Sequence, residues 1–577
     1  MFDTILIRNM DIRWKLKEVG DLETIKKLSS ELNISNILSN MLVHRGIDSY
    51  EKARLFFRPK LDDLHDPFLL KDMDIAINRI IKAIDNNEKI LIYGDYDVDG
   101  TTSVALFYSF LKKQYNNIDF YIPNRYTEGY GISYKGIDFA KENGFSLVIS
   151  FDCGIKAIEQ VKYANTLNID FIITDHHIAD DQLPDAIAVI DPKRPDCGYP
   201  EKNLSGCGVS YKLASGLAKA MNIADDVLHS YLDLVAISIA ADIVPLIGEN
   251  RTLAYWGLKR LNEVPRFGIQ AIMQESKLSR EITISDIVFL IAPRINAAGR
   301  IHTGNTAVEL LIANDYSKAS EFAKIINEDN ITRKDLDAQI TEDALNMLDG
   351  DSIAANKKAT IVFNKDWHKG VVGIVASRLI DTYYRPTIVL TESEGLATGS
   401  ARSVKGFDIY AALEKCSDLL VHFGGHMYAA GLAVKLENLD IFKKRFFEIV
   451  ENSITEDMLT PEIEIDAEID LKDITPKFYK ILNQFAPFGP DNMKPVFVTS
   501  SVYDKGYAKV VGKNHLKLTI HKPDDGNGVT FDAIAFKQSE AYNNDMSKIP
   551  FDICYTIEEN EWNGNINLQL NIRDIKK

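Results

Sequence analysis

Two kinds of hydrophobic spacing divide this chain. Between residues 76 and 192, short and almost wholly apolar runs (KILIYG, DFYIP, SLVISF, DFIIT and AIAVI) alternate with stretches of helical period. Such runs, separated by helices, are the pattern of strands buried on both faces and joined by right-handed crossovers into a doubly wound parallel sheet. Residues 205–304 keep the helical period, and 306–349 contain neither glycine nor proline. A long helix is expected there; unbroken, it would reach about 66 Å at 1.5 Å per residue. A second α/β pattern runs from about 358 to 455, punctuated by Gly370, Gly373, Gly399, Gly424 and Gly425. Glycines let a backbone approach a ligand closely. After Pro487-Phe488-Gly489-Pro490, six β-rich runs with turn residues between them predict a small closed barrel. The expected domains are 1–75, an N-terminal helical segment; 76–304; 305–357, a helical connector; 358–458; and 459–577.

Three of the apolar strands run straight into acids or histidines. KILIYG leads to Asp95, Asp97 and Asp99, SLVISF to Asp152, and DFIIT to Asp175, His176 and His177. Neighbouring parallel strands end on one edge of a sheet, so these side chains converge in one crevice. Carboxylates and imidazoles gathered there are first of all a metal site. The run from Asp95 to Gly100 satisfies the first six positions of an EF-hand, but the twelfth position is Leu106 and the loop follows a strand, which excludes calcium. Helix capping explains one of the three aspartates and not the others. Gly100-Thr101-Thr102 opens the next helix, whose N-terminal amides favour phosphate. The mixed nitrogen and oxygen donor set suits Mn²⁺ better than Mg²⁺. Asp242 interrupts the apolar helical stretch LDLVAISIAADIVPL, where an unpaired carboxylate would be unfavourable and a metal partner would remove the penalty.

At 577 residues the chain is too long for one core, and 46% hydrophobic with 26% charged residues is ordinary globular composition. The net charge of -17 argues against indiscriminate adhesion to nucleic acid, but between Lys494 and Lys522 six lysines stand against one acid, Asp504. That segment is either a solvated strand face or a surface tracking a phosphate backbone. Five cysteines without a CxxC pair fit free thiols in a reducing compartment, and with no signal-like N-terminus and no long apolar run the expectation is a cytoplasmic protein without a membrane segment.

The ordered motifs GDYDVDG, TDHH at 174–177 and ADIVPL at 241–246, with the Asp152 strand end, resemble the four motifs of DHH phosphoesterases. PNRYTEGYG at 123–131, RINAAGR at 294–300, HKGVVGIVASRL at 368–379, GSARS at 399–403 and GGHMYAAGL at 424–432 narrow the resemblance to the RecJ family of single-strand-specific 5′ exonucleases, from residue 45 to the final barrel. The resemblance implies an α/β architecture: a doubly wound parallel DHH domain and a smaller α/β DHHA1 domain joined by a long helical connector, with a C-terminal OB-like β-barrel. It implies that Asp97, Asp99, Asp152, His176 and Asp242 ligate one or two Mn²⁺ ions, Mg²⁺ being an alternative, with Asp95 either a further ligand or a loop-orienting residue. His177 would sit against the scissile phosphate and Asp175 behind an imidazole. Arg300 would stabilise charge on the pentacovalent phosphate, and His302 is a weaker candidate.

Arg125, Ser400 and Arg402 would hold a terminal 5′ phosphate once the lobes close, Tyr130 would stack on a base, and Gly424, Gly425 and His426 resemble the phosphate-contacting loop of DHHA1. In the barrel, Tyr503, Tyr507 and Trp562 could guide single strands. The expected protein is a monomeric, nucleoid-associated 5′ to 3′ exonuclease for single-stranded DNA in recombination and repair, releasing 5′ mononucleotides. A single-stranded-DNA-binding protein and a RecQ-type helicase are its expected partners. A phosphodiesterase for short oligonucleotides or cyclic dinucleotides, and a catalytically dead strand-binding scaffold, are the alternatives.

Overall fold

A computed structural model describes residues 11–349, 357–523, 528–542, 545–562 and 564–577. The chain divides into two compact units: one holds residues 45–332 with 484–493, the other the remaining described residues.

The first unit is built on a five-stranded parallel sheet: β1 (Ile90–Gly94), β2 (Ile118–Tyr121), β3 (Leu147–Phe151), β4 (Asp170–Thr174) and β5 (Ala188–Ile190), in the order β2-β1-β3-β4-β5. Every residue of β1 and β3 is buried, as expected of strands covered on both faces. The order steps outward from β1 in both directions, so the crevice beyond β1 and β3 is the switch point of the sheet. Helix α1 (Val98–Lys112) leaves that edge, and α2 (Gly206–Ala220) and α3 (Leu232–Ala241) pack on it to build the main core; α4 (Gly248–Glu263) packs on α3. Helix α5 (Ala292–Ile301) carries the RINAAGR motif.

The expected helix over 306–349 is not continuous. A helix at Asn305–Ile312 ends first, and α6 (Tyr316–Asp349, 34 residues) begins after Asp315, whose carboxylate accepts from the Lys318 amide at 2.9 Å and stops the earlier helix from running through. The long helix therefore spans about 51 Å rather than 66 Å.

The second unit contains a five-stranded sheet of β6 (Thr360–Phe363), β7 (Thr387–Ser393), β8 (Leu396–Arg402), β9 (Leu420–His426) and β10 (Ala429–Lys435), ordered β9-β10-β8-β7-β6, with only the β6/β7 pair parallel. Helix α7 (Val372–Tyr383) covers it. All six β-rich runs after residue 495 are strands: β12 (Phe497–Asp504), β13 (Lys509–Val511), β14 (His515–His521), β15 (Thr530–Ala535), β16 (Phe551–Trp562) and β17 (Asn565–Lys576), with the short β11 (Ala467–Glu468) before them. The order β11-β12-β16-β17-β15-β14-β13 with an added β12–β14 pairing closes five strands into a barrel, with the short β11 and β13 left at its edges. One element escaped the hydrophobic pattern: the strand Arg13–Leu16, mostly exposed, pairs in parallel with Glu462–Ile465. All five cysteines are buried free thiols, and no helix among the described residues is long and apolar enough to cross a membrane.

Candidate metal centre

The acidic loop after β1 is folded by its own side chains. Asp97 caps α1, accepting from the Gly100 amide at 3.0 Å, and the Val98 amide donates to Asn296 Oδ1 at 3.2 Å, so the RINAAGR helix clamps the loop from outside. Asp99 lies in the first turn of α1, buried. The N-terminus of α2 meets it: the Gly206 and Cys207 amides donate to its two carboxylate oxygens at 2.7 and 2.8 Å, and Ser238 Oγ of α3 donates at 2.6 Å. Gly206 is required by this approach, because a Cβ there would stand 2.8 Å from Asp152 Cβ and 3.0 Å from Asp99 Oδ2.

Asp152 follows β3 in the left-handed region at φ 58°, held by its amide's hydrogen bond to Thr174 O. His176 follows β4. Its Nδ1 lies 3.0 Å from the Leu204 carbonyl, which can only accept, so Nδ1 carries the proton and Nε2 is left as a lone pair. That Nε2 is buried without a hydrogen-bond partner and faces Asp152 Oδ1 at 3.1 Å, Asp99 Oδ2 at 3.6 Å and Asp242 Oδ2 at 3.7 Å. Burial holds the imidazole below its ordinary pKa, so it does not resolve this arrangement by taking up charge. A cation among the four atoms would. The donor atoms of Asp99, His176 and Asp242, and those of Asp152, His176 and His177, lie within 4.8 Å of one another in each set.

The surrounding carboxyls carry the strain of an acidic cluster. Burial, then the charge of Asp99, pushes Asp97 and Asp152 upward; burial, then the charges of Asp99 and Asp97, puts Asp242 at about 8. Asp95 is fully buried, near the Tyr96 and Gly131 amides, with neither carboxylate oxygen making a well-formed hydrogen bond, and burial and Asp97 raise it strongly. His177 differs. Burial opposes its charge, but Asp175 Oδ1 lies 2.7 Å from its Nδ1 and the pKa rises to about 9. Asp175, although buried, is held at about 2 by that contact and also accepts from the Ile155, His176 and His177 amides.

Four of the five expected ligands, Asp99, Asp152, His176 and Asp242, thus meet around one point. Asp97 stands beside them with one oxygen used in capping, and His177 joins the donor cluster as an addition. Asp242 corrects one expectation: it caps the C-terminus of α3 and is partly exposed, so it does not interrupt an apolar helix. The buried acid within that stretch is Asp233, paired with Arg266 at 2.6 Å. Sequence reasoning also missed Asp191, at the end of β5. It is fully buried with Oδ2 unpartnered, and burial and Asp175 raise it to about 7. The signal was there, in a fourth strand running into an acid. The Gly206, Cys207 and Ser238 cradle around Asp99 had no such signal.

Around this pocket, Tyr130 Oη lies 3.3 Å from His177 Nε2 and from the Asp152 carbonyl, and its ring meets Tyr96 edge-on. Arg125 stacks over Tyr96 at 5.0 Å, and Gly299 presses on the Tyr96 carbonyl one residue before Arg300, whose own carbonyl accepts from Tyr126 Oη. His302 Nδ1 is 2.6 Å from Asp329 of α6.

The remaining candidates belong to the second unit and form their own group. Arg402 donates to Ser400 Oγ at 2.6 Å on β8, and a Cβ on Gly373, at the start of α7, would meet both side chains. His426 pairs with Ala429, itself opposite Arg402. Gly425, at φ 146°, has no room for a Cβ against the Ala429 carbonyl. In the barrel Tyr507 is exposed, while Tyr503 tilts against His521. Lys494, Lys517 and Lys522 are ion-paired with Glu558, Asp532 and Asp470. The side chain of Trp562 lies outside the described residues.

A parallel sheet whose switch point gathers aspartates and histidines, with a second α/β unit bearing glycine-rich phosphate-type loops, defines a phosphoesterase of the DHH class. Comparison agrees: the DHH family N-terminal domain matches residues 89–239, the DHHA1 domain 356–452, and the RecJ OB domain 465–574. The chain is 39% identical over 570 residues, covering 98% of its own length and 70% of the relative's, to the single-stranded-DNA-specific exonuclease RecJ of Bacillus subtilis. It is 34% identical to that of Haemophilus influenzae, covering 94% of this chain and 97% of the other. Its fold matches a crystal structure of RecJ in complex with Mn²⁺ from Thermus thermophilus with TM-score 0.84 at 24% identity, over 99% of this chain and 80% of that one. The chain belongs to the RecJ family.

Proposed function

We propose that this chain is a single-stranded-DNA-specific exonuclease that hydrolyses phosphodiester bonds from the 5′ end and releases 5′ mononucleotides in recombination and repair. The observation that carries the hydrolytic reading is the His176 Nε2 lone pair turned toward three carboxylates, in a chain whose RecJ relatives are named for this activity. A further relative, 28% identical with TM-score 0.59, was solved as exonuclease RecJ bound to manganese, covering 68% of this chain and 97% of that one.

In this reading Asp97, Asp99, Asp152, His176 and Asp242 hold one or two Mn²⁺ ions, Mg²⁺ substituting, with Asp95 orienting the loop or joining them. Bound cations supply Lewis-acid stabilisation of the phosphoryl oxygens and a water of lowered pKa. His177, kept protonated by Asp175, donates Nε2–H to a nonbridging phosphate oxygen, and Arg300 offsets the charge that develops there. Arg125 holds the DNA backbone and Tyr130 presents a ring face to a base. Ser400, Arg402, Gly424, Gly425 and His426 bind the 5′ phosphate and the nucleotide beside it. The barrel, with exposed Tyr507, Lys509 and Lys513, guides the longer strand, which favours this reading over an enzyme for dinucleotides.

Residues 76–304 are read as the catalytic domain of a monomeric, cytoplasmic, nucleoid-associated enzyme. It works beside a single-stranded-DNA-binding protein and a RecQ-type helicase. The test is digestion of a linear strand blocked at the 5′ or the 3′ end, with Mn²⁺ or chelator. Degradation should require Mn²⁺ and a free 5′ end and should be lost in Asp152→Ala. Degradation in chelator, or from a 5′-blocked strand, would overturn the reading.

A further inference from the structure

Ile243 stands directly after Asp242 with φ 58°, a conformation that a β-branched residue adopts only when its surroundings impose it. Its own side chain imposes nothing, being 65% exposed. The constraint comes from both ends of the turn. On one side the Asp242 amide still closes α3 onto Ser238 O at 2.9 Å. On the other, Asn250 of α4 donates to the Pro245 carbonyl at 3.0 Å, and the Leu246 amide donates to the Pro490 carbonyl at 2.8 Å. Leu246 is buried, and Gly489 lies so close that a Cβ there would stand 3.3 Å from it.

Pro490 belongs to a strap, residues 484–493, that is far along the chain and yet part of the first compact unit. The strap is fastened from below. Arg251, buried in α4, makes five hydrogen bonds to main-chain carbonyls, one to Phe56 and the others to Gln484, Phe485, Ala486 and Pro487. Asn492, fully buried, donates to the Phe485 and Pro487 carbonyls at 2.8 Å each and exchanges main-chain hydrogen bonds with Gly489. Its Oδ1 in turn accepts from Arg45 Nε at 2.8 Å.

We infer that the strap, pinned by Arg251 and Asn492, is a positioning element for the metal centre: by holding Leu246 it keeps Ile243 in its left-handed conformation and so aims the Asp242 carboxylate at the cation. This rests on the reading of Asp242 as a ligand given above. The three peptide units between Asp242 and Pro245 leave little slack, so a strap that loosens lets Ile243 relax to an ordinary conformation and swings the carboxylate away.

The test is Mn²⁺ binding without DNA, followed by electron paramagnetic resonance of free Mn²⁺ on the full chain, with circular dichroism and thermal melting as the check on folding. Asn492→Ala is expected to weaken Mn²⁺ binding about tenfold. Arg45→Gln, which removes one support of Asn492 from a partly exposed position, is expected to weaken it several-fold and serves where Asn492→Ala does not fold. Adding Ile243→Gly to either variant is expected to recover most of the lost affinity, since glycine adopts φ 58° without strain. A general loss of packing would not be repaired in this way. Folded strap variants with wild-type affinity, or a loss that Ile243→Gly leaves unrepaired, overturn the inference. If wild-type protein binds no Mn²⁺, or Asp242→Asn binds it as well as wild type, the metal reading fails first and the inference with it.

Discussion

His176 Nε2 lies 3.1 Å from Asp152 Oδ1, a buried lone pair set against a buried carboxylate. Without a cation, such a pocket keeps protons on its acids. Asp242 at about 8 is still largely protonated at pH 7, and Asp97 and Asp152 are raised as well. Ligation therefore releases protons. Calorimetry of Mn²⁺ binding at pH 7 should give an enthalpy that depends on the ionisation enthalpy of the buffer, and the affinity should rise between pH 6 and 8.

The same groups set the stability of the metal-free protein. A carboxyl whose folded-state pKa is raised holds a proton that the unfolded chain has already lost, so stability falls as pH rises from about 4 toward about 8. The His177–Asp175 pair acts in the same direction above about pH 6.5 and in the opposite one only below about pH 4: its stabilisation is full between about pH 4 and 6.5, is lost as His177 deprotonates toward about 9, and is lost on the acid side as Asp175 is protonated toward about 2. In chelator, melting temperature should drop between pH 5 and 8, and saturating Mn²⁺ should remove the share due to the raised acids, leaving only the His177 share above about pH 6.5. The gap between wild type and Asp175→Asn should be widest near pH 5 to 6 and vanish above pH 9.

Gly206→Ala should damage catalysis while leaving the fold intact. The new Cβ meets Asp152 and Asp99 at about 3 Å, and both of these proposed ligands must shift to make room. Relieving these contacts takes a shift approaching about 1 Å, and a misplacement of that size at a reacting centre reduces turnover by up to about 100-fold. Strand binding in chelator should be unchanged; equal loss in both assays would place the effect in folding.

Arg266→Ala should act on stability alone. It leaves Asp233, 1% exposed, as a buried charge without its guanidinium, at about 3–5 kcal/mol. Denaturant unfolding checks the size, and activity per folded molecule should match wild type.

Arg402→Ala should separate binding from chemistry. Arg402 and Ser400 are hydrogen-bonded to each other beside the start of α7, where a terminal phosphate would be met by a helix N-terminus as well as the guanidinium. The variant should raise KM by about tenfold or more on a 5′-phosphorylated strand, with a smaller effect on kcat and little change on a 5′-hydroxyl strand.

The alternation of apolar runs and helices made the parallel sheet legible, because buried strands carry hydrophobic residues on both faces whatever their neighbours. The acids at the strand ends were legible for the same reason: once β1, β3 and β4 lie side by side, Asp97, Asp152 and His176 have nowhere else to converge. Asp191 repeats that pattern and was passed over. The break before Tyr316 was less visible, since it depends on one capping carboxylate.

Sequence by itself determined which residue types this chain brings to the edge of its sheet, because local period and strand direction fix where a side chain emerges. Tertiary structure alone decided how those side chains are held. The Gly206 amide on Asp99, the Leu204 carbonyl that sets the His176 tautomer, and the strap at 484–493 under Leu246 are contacts between segments from 28 to more than 200 residues apart. No periodicity in a chain encodes such pairings; they follow from how the packed helices close over the sheet.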